Sequence, residues 1–508
     1  MPTSTESAAQ HFETLQLHAG RFPDALNSCA VPIYTSAVRS PQKFAHSGFT
    51  RLTCCGNRQA FAFNNAEHGV RLLELSEFGN IYSRITNPTV NVFQNRMAAL
   101  EGGMAACATA SGTAAVSMTL MALAGVGDNI VASSTVHGGT YHQFKVLAPQ
   151  LGIECRFVDS NDPDEFRRRV DARTKFLFVE SISNPRYTVP DFAALATVAH
   201  ANGIPLVCDN TFGCAGYFCR PIDHGADIVV HSATKWIGGH GTTLGGVIVD
   251  GGTFDWGIHA AKFPQFHVDN AAEGSGEVSL WKQFGRRAFA VRCQFEILRD
   301  IGSTLSPSAA QQLLIGLESL AVRCDRHAAN AAALAAWLRQ QPQVAWVRYL
   351  GDADHPCHAL STQYLQRGYG SVFSFGIRGG KTAGFQFCDR LKMVINTTNL
   401  GDSKTLVVHP WTTTHQQLTD AERFTAGVTE DHIRLSVGLE HIDDITRDFQ
   451  QAFASLGTPV VESPAARLHY QEQQAIIKEL YGTLSPVHAT DTRMTPVTAT
   501  NTAIEQRA

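Results

Sequence analysis

Between about residues 89 and 310 the chain alternates short, nearly unbroken apolar runs with stretches of small and amphipathic residues. Asn129-Ile-Val-Ala-Ser, Glu154-Cys-Arg-Phe-Val, Lys175-Phe-Leu-Phe-Val-Glu, Ile204 to Asp209, Ile228 to Ser232 and Gly246-Val-Ile-Val are of strand length. Runs without polar alternation predict strands covered on both faces, and the helical stretches between them supply crossovers. The pattern therefore predicts an α/β fold with a mostly parallel sheet, followed by a smaller α/β unit that runs to about residue 456. Open sheets of this kind bind ligands beyond the carboxyl ends of their strands, so the residues that close each run are the first candidates for chemistry.

Two run ends and one helix opening stand out. In His231-Ser232-Ala-Thr234-Lys235-Trp-Ile-Gly-Gly239 a lysine follows an apolar strand and two hydroxyl residues. Hydroxyls there can hold a phosphate while the amine forms an imine with an aldehyde, although a lone lysine equally caps or solvates a strand end. Asp209 closes the run from Ile204. A carboxylate at that edge can pair with a pyridine nitrogen and keep it protonated; by itself it is more often a helix cap or a metal ligand. Ala110-Ser111-Gly112-Thr113-Ala-Ala opens a small-residue helical run to about Ala124, and a helix N-terminus offers N–H groups to an anion. Cradle, acid and lysine in this order describe a pyridoxal 5'-phosphate site.

With those residues in place the chain resembles the PLP-dependent family of Cys/Met metabolism, the fold-type I transsulfuration and sulfhydrylation enzymes of amino-acid biosynthesis. The likeness runs through Thr14-Leu-Gln-Leu-His18, Tyr82-Ser-Arg84, Asn87-Pro88, Leu100-Glu-Gly-Gly, Ser183-Asn184-Pro185, Asp209-Asn-Thr-Phe, Ser232-Ala-Thr-Lys235 and Ile433-Arg434 to Glu440. It implies an aspartate aminotransferase-like fold: a mixed, mostly parallel seven-stranded sheet with a smaller C-terminal α/β domain. The implied division is an N-terminal arm over 1–88, a cofactor domain over 89–310, a C-terminal domain over 311–456 and a partly disordered tail over 457–508.

By the same resemblance Lys235 is the lysine that carries the cofactor and shuttles protons, and Asp209 pairs with the pyridine nitrogen. Gly112, Thr113, Ser232 and Thr234 form the phosphate cradle. Asn184 lies near the phenolic oxygen, and Arg434 grips the α-carboxylate of a small amino-acid substrate, a task suited to its planar fork. Tyr82 and Arg84 are implied to reach the cofactor of a neighbouring subunit, which makes the active unit a dimer within a homotetramer.

A long connection between Lys262 and Arg299 resembles the O-acetylhomoserine sulfhydrylase branch. The implied reaction is γ-replacement: acetate leaves Cγ of O-acetyl-L-homoserine, and sulfide or a thiol enters. Two departures leave the nucleophile open. His137 opens His-Gly-Gly-Thr140 where the family places a tyrosine, and serves either as a face cover and acid/base or only as filler. Trp411-Thr-Thr-Thr-His415 replaces small residues, and the family's Tyr-His-Gly is missing between Asp269 and Glu277. Both departures suggest a larger nucleophile, of carbon or nitrogen, as an alternative; a cystathionine γ-synthase or γ-lyase is another, disfavoured by the long connection.

Composition adds exclusions. At 508 residues and 44% hydrophobic content the chain can bury sizeable cores. A formal net charge of −4 gives no basic footprint for nucleic acid, and no apolar run is long enough to suggest a membrane span. The start, Met-Pro-Thr-Ser-Thr-Glu, lacks a signal peptide's regions, which with the 12 scattered cysteines points to a cytoplasmic protein with reduced thiols. The 21 histidines show no metal-ligand spacing, so no metal is expected. Val38 to Gln59 interrupts the family-like text and has no apolar period. It reads either as a surface loop or as a translated, unspliced intron of 22 codons, since Val38-Arg39, Leu52-Thr53 and Gln59 admit donor, branch and acceptor codons.

Overall fold

The computed structural model describes residues 10–20, 31–34, 60–160, 162–267, 279–416 and 419–456. The segment 38–59, the stretch between Asp269 and Glu277 and the tail after residue 456 lie outside the described residues.

The large sheet has seven strands: β1 Ala105–Thr109, β2 Asn129–Ser133, β3 Glu154–Val158, β4 Thr174–Glu180, β5 Leu206–Asp209, β6 Ile228–Ser232 and β7 Gly246–Asp250. Their order is β1-β7-β6-β5-β4-β2-β3. Neighbours from β3 through β6 are parallel, whereas β7 runs antiparallel to both β6 and β1. Every residue of β2 and β7 is buried, as the apolar runs require of strands covered on both faces. The edge strand β3 carries exposed Glu154 and half-buried Arg156. β1 was not among the strands expected: Ala-Ala-Cys-Ala-Thr has no β-branched residue before its last position, and pairing with β7 from Ala105↔Asp250 to Thr109↔Gly246 makes it a strand.

In chain order α1 Phe12–His18, α2 Ala66–Leu73 and α3 Pro88–Glu101 precede β1, and α4 Gly112–Leu123 follows it; α3 and α4 pack on the strands. α3 starts where Asn87 accepts the Thr89 N–H and a proline takes the first helical position, and it ends on Gly102 in the left-handed region (φ 74°). α4 starts where the Ser111 side chain accepts the N–H of Ala114. The long connection after β7 is pinned by aromatic contacts: Trp256 lies 4.6 Å from Phe266 and 5.7 Å from Phe289, ring to ring.

The second sheet comprises β8 Val344–Arg348, β9 Val372–Ile377, β10 Ile395–Asn396, β11 Leu406–Val408 and β12 His432–Ser436, in the order β10-β11-β12-β9-β8. Phe375, Phe387, Phe449 and Phe453 pack beneath it with residues from three helices. One of these, Leu320–Leu338, belongs to both cores: Leu320 and Cys324 pack with the large sheet, Leu334 and Leu338 with the small one. Arg434 sits on β12, flanked by β11 and β9, so its backbone is held from both sides.

Candidate active site

The carboxyl ends of β4, β5 and β6 bring Glu180, Asp209 and Ser232 side by side at the rim where α4 begins. Asp209 Oδ1 accepts two bonds from Thr211, one from its N–H at 2.9 Å and one from its hydroxyl at 2.6 Å. The same hydroxyl accepts the Ser232 N–H at 2.9 Å. Thr211 thus ties the acid to the cradle strand, a link the sequence reading did not single out although Asp209-Asn-Thr-Phe contains it.

Gly112 and Ser232 approach so closely that a Cβ on Gly112 would lie 2.6 Å from Ser232 Cβ and 2.7 Å from its Cα. Gly246 lies as tightly beneath Ser111, 2.1 Å from the carbonyl oxygen to an added Cβ. Glycine at both places lets the first turn of α4 settle against β6 and β7 and direct its N–H groups over the strand end. Gly112→Ala is therefore expected to force the two apart and to weaken cofactor binding by roughly ten- to a hundredfold, the scale of overpacking strain. Equilibrium dialysis against pyridoxal phosphate measures it, and an unchanged affinity would contradict the cradle.

Thr234 spends its hydroxyl on the loop, donating to the Gly245 carbonyl at 3.3 Å and accepting the Gly245 N–H at 3.1 Å. Thr113 is exposed at the start of α4, and its carbonyl accepts from Gln143. Asn184, half-buried, lies in the turn that follows β4. Within this chain Arg84 stacks over the Tyr82 ring and donates to the Arg299 carbonyl.

Lys235 Nζ donates to Asn399 Oδ1 at 2.7 Å, and burial, seconded by the Arg434 charge, lowers its pKa to about 8. Arg434 is 6% exposed and donates to the Thr398 and Asn399 carbonyls at 2.8 and 3.3 Å. The loop 398–399 therefore orients both cations, one by a side chain and one by its backbone. Asn399 is a second residue the sequence reading missed, because its role arises only where the small domain meets the large one. His137 is exposed within electrostatic reach of Asp209, Lys235 and Arg434, and its backbone N–H donates to Glu180 Oε1. Surrounding protein biases the imidazole toward its neutral form; Asp209 opposes that bias, while Lys235 and Arg434 add to it. Burial, with the Arg434 and Arg423 charges behind it, pushes the His415 pKa down to about 4. Trp411 is buried beneath Arg423 and edge-on to Phe424, so its bulk is taken up in wall packing.

These residues fit pyridoxal phosphate. A helix N-terminus brought close by Gly112 suits its phosphate, Asp209 its pyridine nitrogen, and an amine with a depressed pKa its aldehyde. The family model of Cys/Met metabolism PLP-dependent enzymes matches residues 13–454. The chain belongs to that family. As a PLP-dependent enzyme it has close counterparts. A sulfhydrylase-like protein of Epichloe uncinata is 63% identical over 87% of this chain and 88% of its own length. The homocysteine synthase of Schizosaccharomyces pombe is 50% identical over 89% of this chain and 99% of its own. A crystal structure of a protein assigned as an O-acetylhomoserine (thiol)-lyase from Campylobacter jejuni, 33% identical, superposes with a TM-score of 0.80 over 88% of this chain and all of that one. It carries a pyridoxyl-lysine monophosphate residue. Fold-type I architecture and the cofactor are thereby established for this family member.

Among the described residues no helix is long and apolar enough to cross a membrane, and no group of three or more His, Cys, Asp or Glu side chains could hold a metal ion. The nine described cysteines are free.

Proposed function

We propose that the chain catalyses γ-replacement on O-acetyl-L-homoserine, exchanging acetate for sulfide or a thiol to give homocysteine or a thioether. The observation that carries this reading is the meeting of Lys235 and Asp209, at the carboxyl edge of the large sheet, with buried Arg434 from the small one, in a chain whose relatives bear sulfhydrylase and homocysteine synthase names. Those names favour a sulfur nucleophile over carbon or nitrogen, and over cystathionine synthesis or γ-elimination.

Bound at this edge, pyridoxal phosphate supplies an electron sink for charge that develops at the substrate Cα. Gly112, Thr113, Ser232 and, on releasing the Gly245 carbonyl, Thr234 would hold its phosphate, Asp209 would pair with its pyridine nitrogen, and Asn184 would lie near its phenolic oxygen. Arg434 fixes the substrate α-carboxylate and so orients Cα toward Lys235. Lys235 takes a proton from Cα and then one from Cβ, so that acetate can leave Cγ, and returns a proton to each carbon once the nucleophile has added at Cγ, a task for which an amine lowered to about 8 is matched near neutral pH. His137 covers the face of the ring as a neutral imidazole. Tyr82 and Arg84 serve a partner subunit in a dimeric active unit of a cytoplasmic homotetramer. The deciding experiment incubates purified holoenzyme with O-acetyl-L-homoserine and a panel of nucleophiles, with mass spectrometry to read the products; no acetate release with any of them would overturn the reading.

His137 carries a separate expectation. His137→Tyr should keep cofactor affinity but shift preference toward sulfide, whereas His137→Ala weakens both, by about tenfold or more in kcat/KM if the ring moves protons. Identical nucleophile profiles and pH dependence in all three proteins would reduce the histidine to filler.

A further inference from the structure

Glu180 closes β4 in register with Asp209, which closes β5. Register partners on parallel strands lie about 4.8 Å apart and point to the same face, so the two carboxyl groups leave the sheet as neighbours. They differ in surroundings. Asp209 is half-exposed to the pocket and satisfied on one oxygen by Thr211. Glu180 is 7% exposed, and its Oε1 accepts the backbone N–H of His137 at 2.5 Å. The titratable groups that face it are Asp209 from β5 and His137 from the loop after β2, with the buried Cys208 thiol on the opposite face of β5 within electrostatic reach. Among the described residues no lysine, arginine or histidine side chain forms an ion pair with it.

Two adjacent carboxyl groups without a cation between them favour a single charge. Asp209 has the pocket and two donors; Glu180 has one amide donor and a buried site. Burial and the Asp209 charge both drive the Glu180 pKa well above the ordinary carboxylate range, and the His137 N–H opposes them only in part.

We propose that Glu180 is a positioning residue that works as an uncharged carboxylic acid, anchoring the backbone of His137 while leaving Asp209 the one charged carboxylate of the pair. The inference rests on the reading that Asp209 meets the pyridine nitrogen and His137 covers its face. A second charge at Glu180 would draw His137 toward imidazolium and lose the distinction between one carboxylate that bears charge and one that bears a proton. The acid thus sets the geometry of the His137 loop and the net charge beneath the ring together.

The test compares Glu180→Gln and Glu180→Ala in the holoenzyme. Glutamine reproduces a neutral side chain with an oxygen for the His137 N–H, so kcat/KM and the pyridoxal phosphate dissociation constant should stay within about threefold of wild type, whereas alanine, which orphans that N–H, should cost about tenfold or more in both. Infrared difference spectra between neutral and alkaline pH should show the carbonyl stretch of a protonated carboxylic acid in the wild type, absent from Glu180→Gln. If glutamine is as damaging as alanine, or the wild type lacks that band, the proposal is overturned. The infrared and dialysis readouts require no turnover, so they stand even if O-acetyl-L-homoserine proves not to be the substrate.

Discussion

Replacing Lys235 with alanine is expected to abolish turnover, by about 10³-fold or more, and to remove the visible absorbance of the lysine-bound cofactor. The magnitude follows from two losses at once. Lys235 is the amine at the end of β6 with Arg434 beside it, and it is both the covalent anchor and the proton carrier in the proposed mechanism. The same amine sets a pH dependence whose sign is fixed by its shift. With the pKa lowered to about 8, the uncharged nucleophilic fraction grows as pH rises toward that value and levels above it. Capture of pyridoxal phosphate by the cofactor-stripped wild type should therefore accelerate up to about pH 8, about tenfold per unit well below it, and then plateau. Absorbance growth after mixing measures it. Retained turnover with an unchanged spectrum in Lys235→Ala would remove the assignment of this lysine.

Arg434→Leu is expected to lower kcat/KM by about 10²- to 10³-fold while leaving the cofactor spectrum intact, because truncating one partner of a buried, charge-assisted pair costs about 3–4 kcal/mol. The side chain is 6% exposed and its Nη2 is oriented by the Thr398 and Asn399 carbonyls, which hold the guanidinium before substrate arrives. Arg434→Lys should rescue little, since an ammonium lacks the planar fork that meets both carboxylate oxygens. A steady-state comparison on O-acetyl-L-homoserine separates the outcomes: a near-normal kcat/KM in the leucine variant would show that the α-carboxylate is held elsewhere.

How much of this was legible beforehand differs residue by residue. Asp209 announced itself because it ends an apolar run, and Lys235 because it follows one within three residues of its last; a strand buried on both faces leaves its end as the first place that can meet solvent or ligand. Gly112 was legible as a helix opening, but the reason for glycine was not: it is the 2.6 Å that an added Cβ would leave to Ser232, 120 positions away in the chain. Glu180 closes an apolar run like the others, yet nothing in that run tells whether it bears a charge; its neighbour on β5 and its burial decide that.

The sequence by itself determined the parallel core, the chemistry-bearing ends of its strands and the family, because periodicity, strand length and motif spacing are local properties that neighbouring residues impose on one another. The tertiary structure alone decided that the alanine-rich 105–109 becomes a strand, that Thr211 couples Asp209 to Ser232, and that the loop 398–399 of the small domain orients Lys235 and Arg434. Each depends on groups brought within hydrogen-bond reach only after the chain has folded. Pairing, burial and the pKa shifts they produce are set by those distant partners and leave no mark in any local stretch.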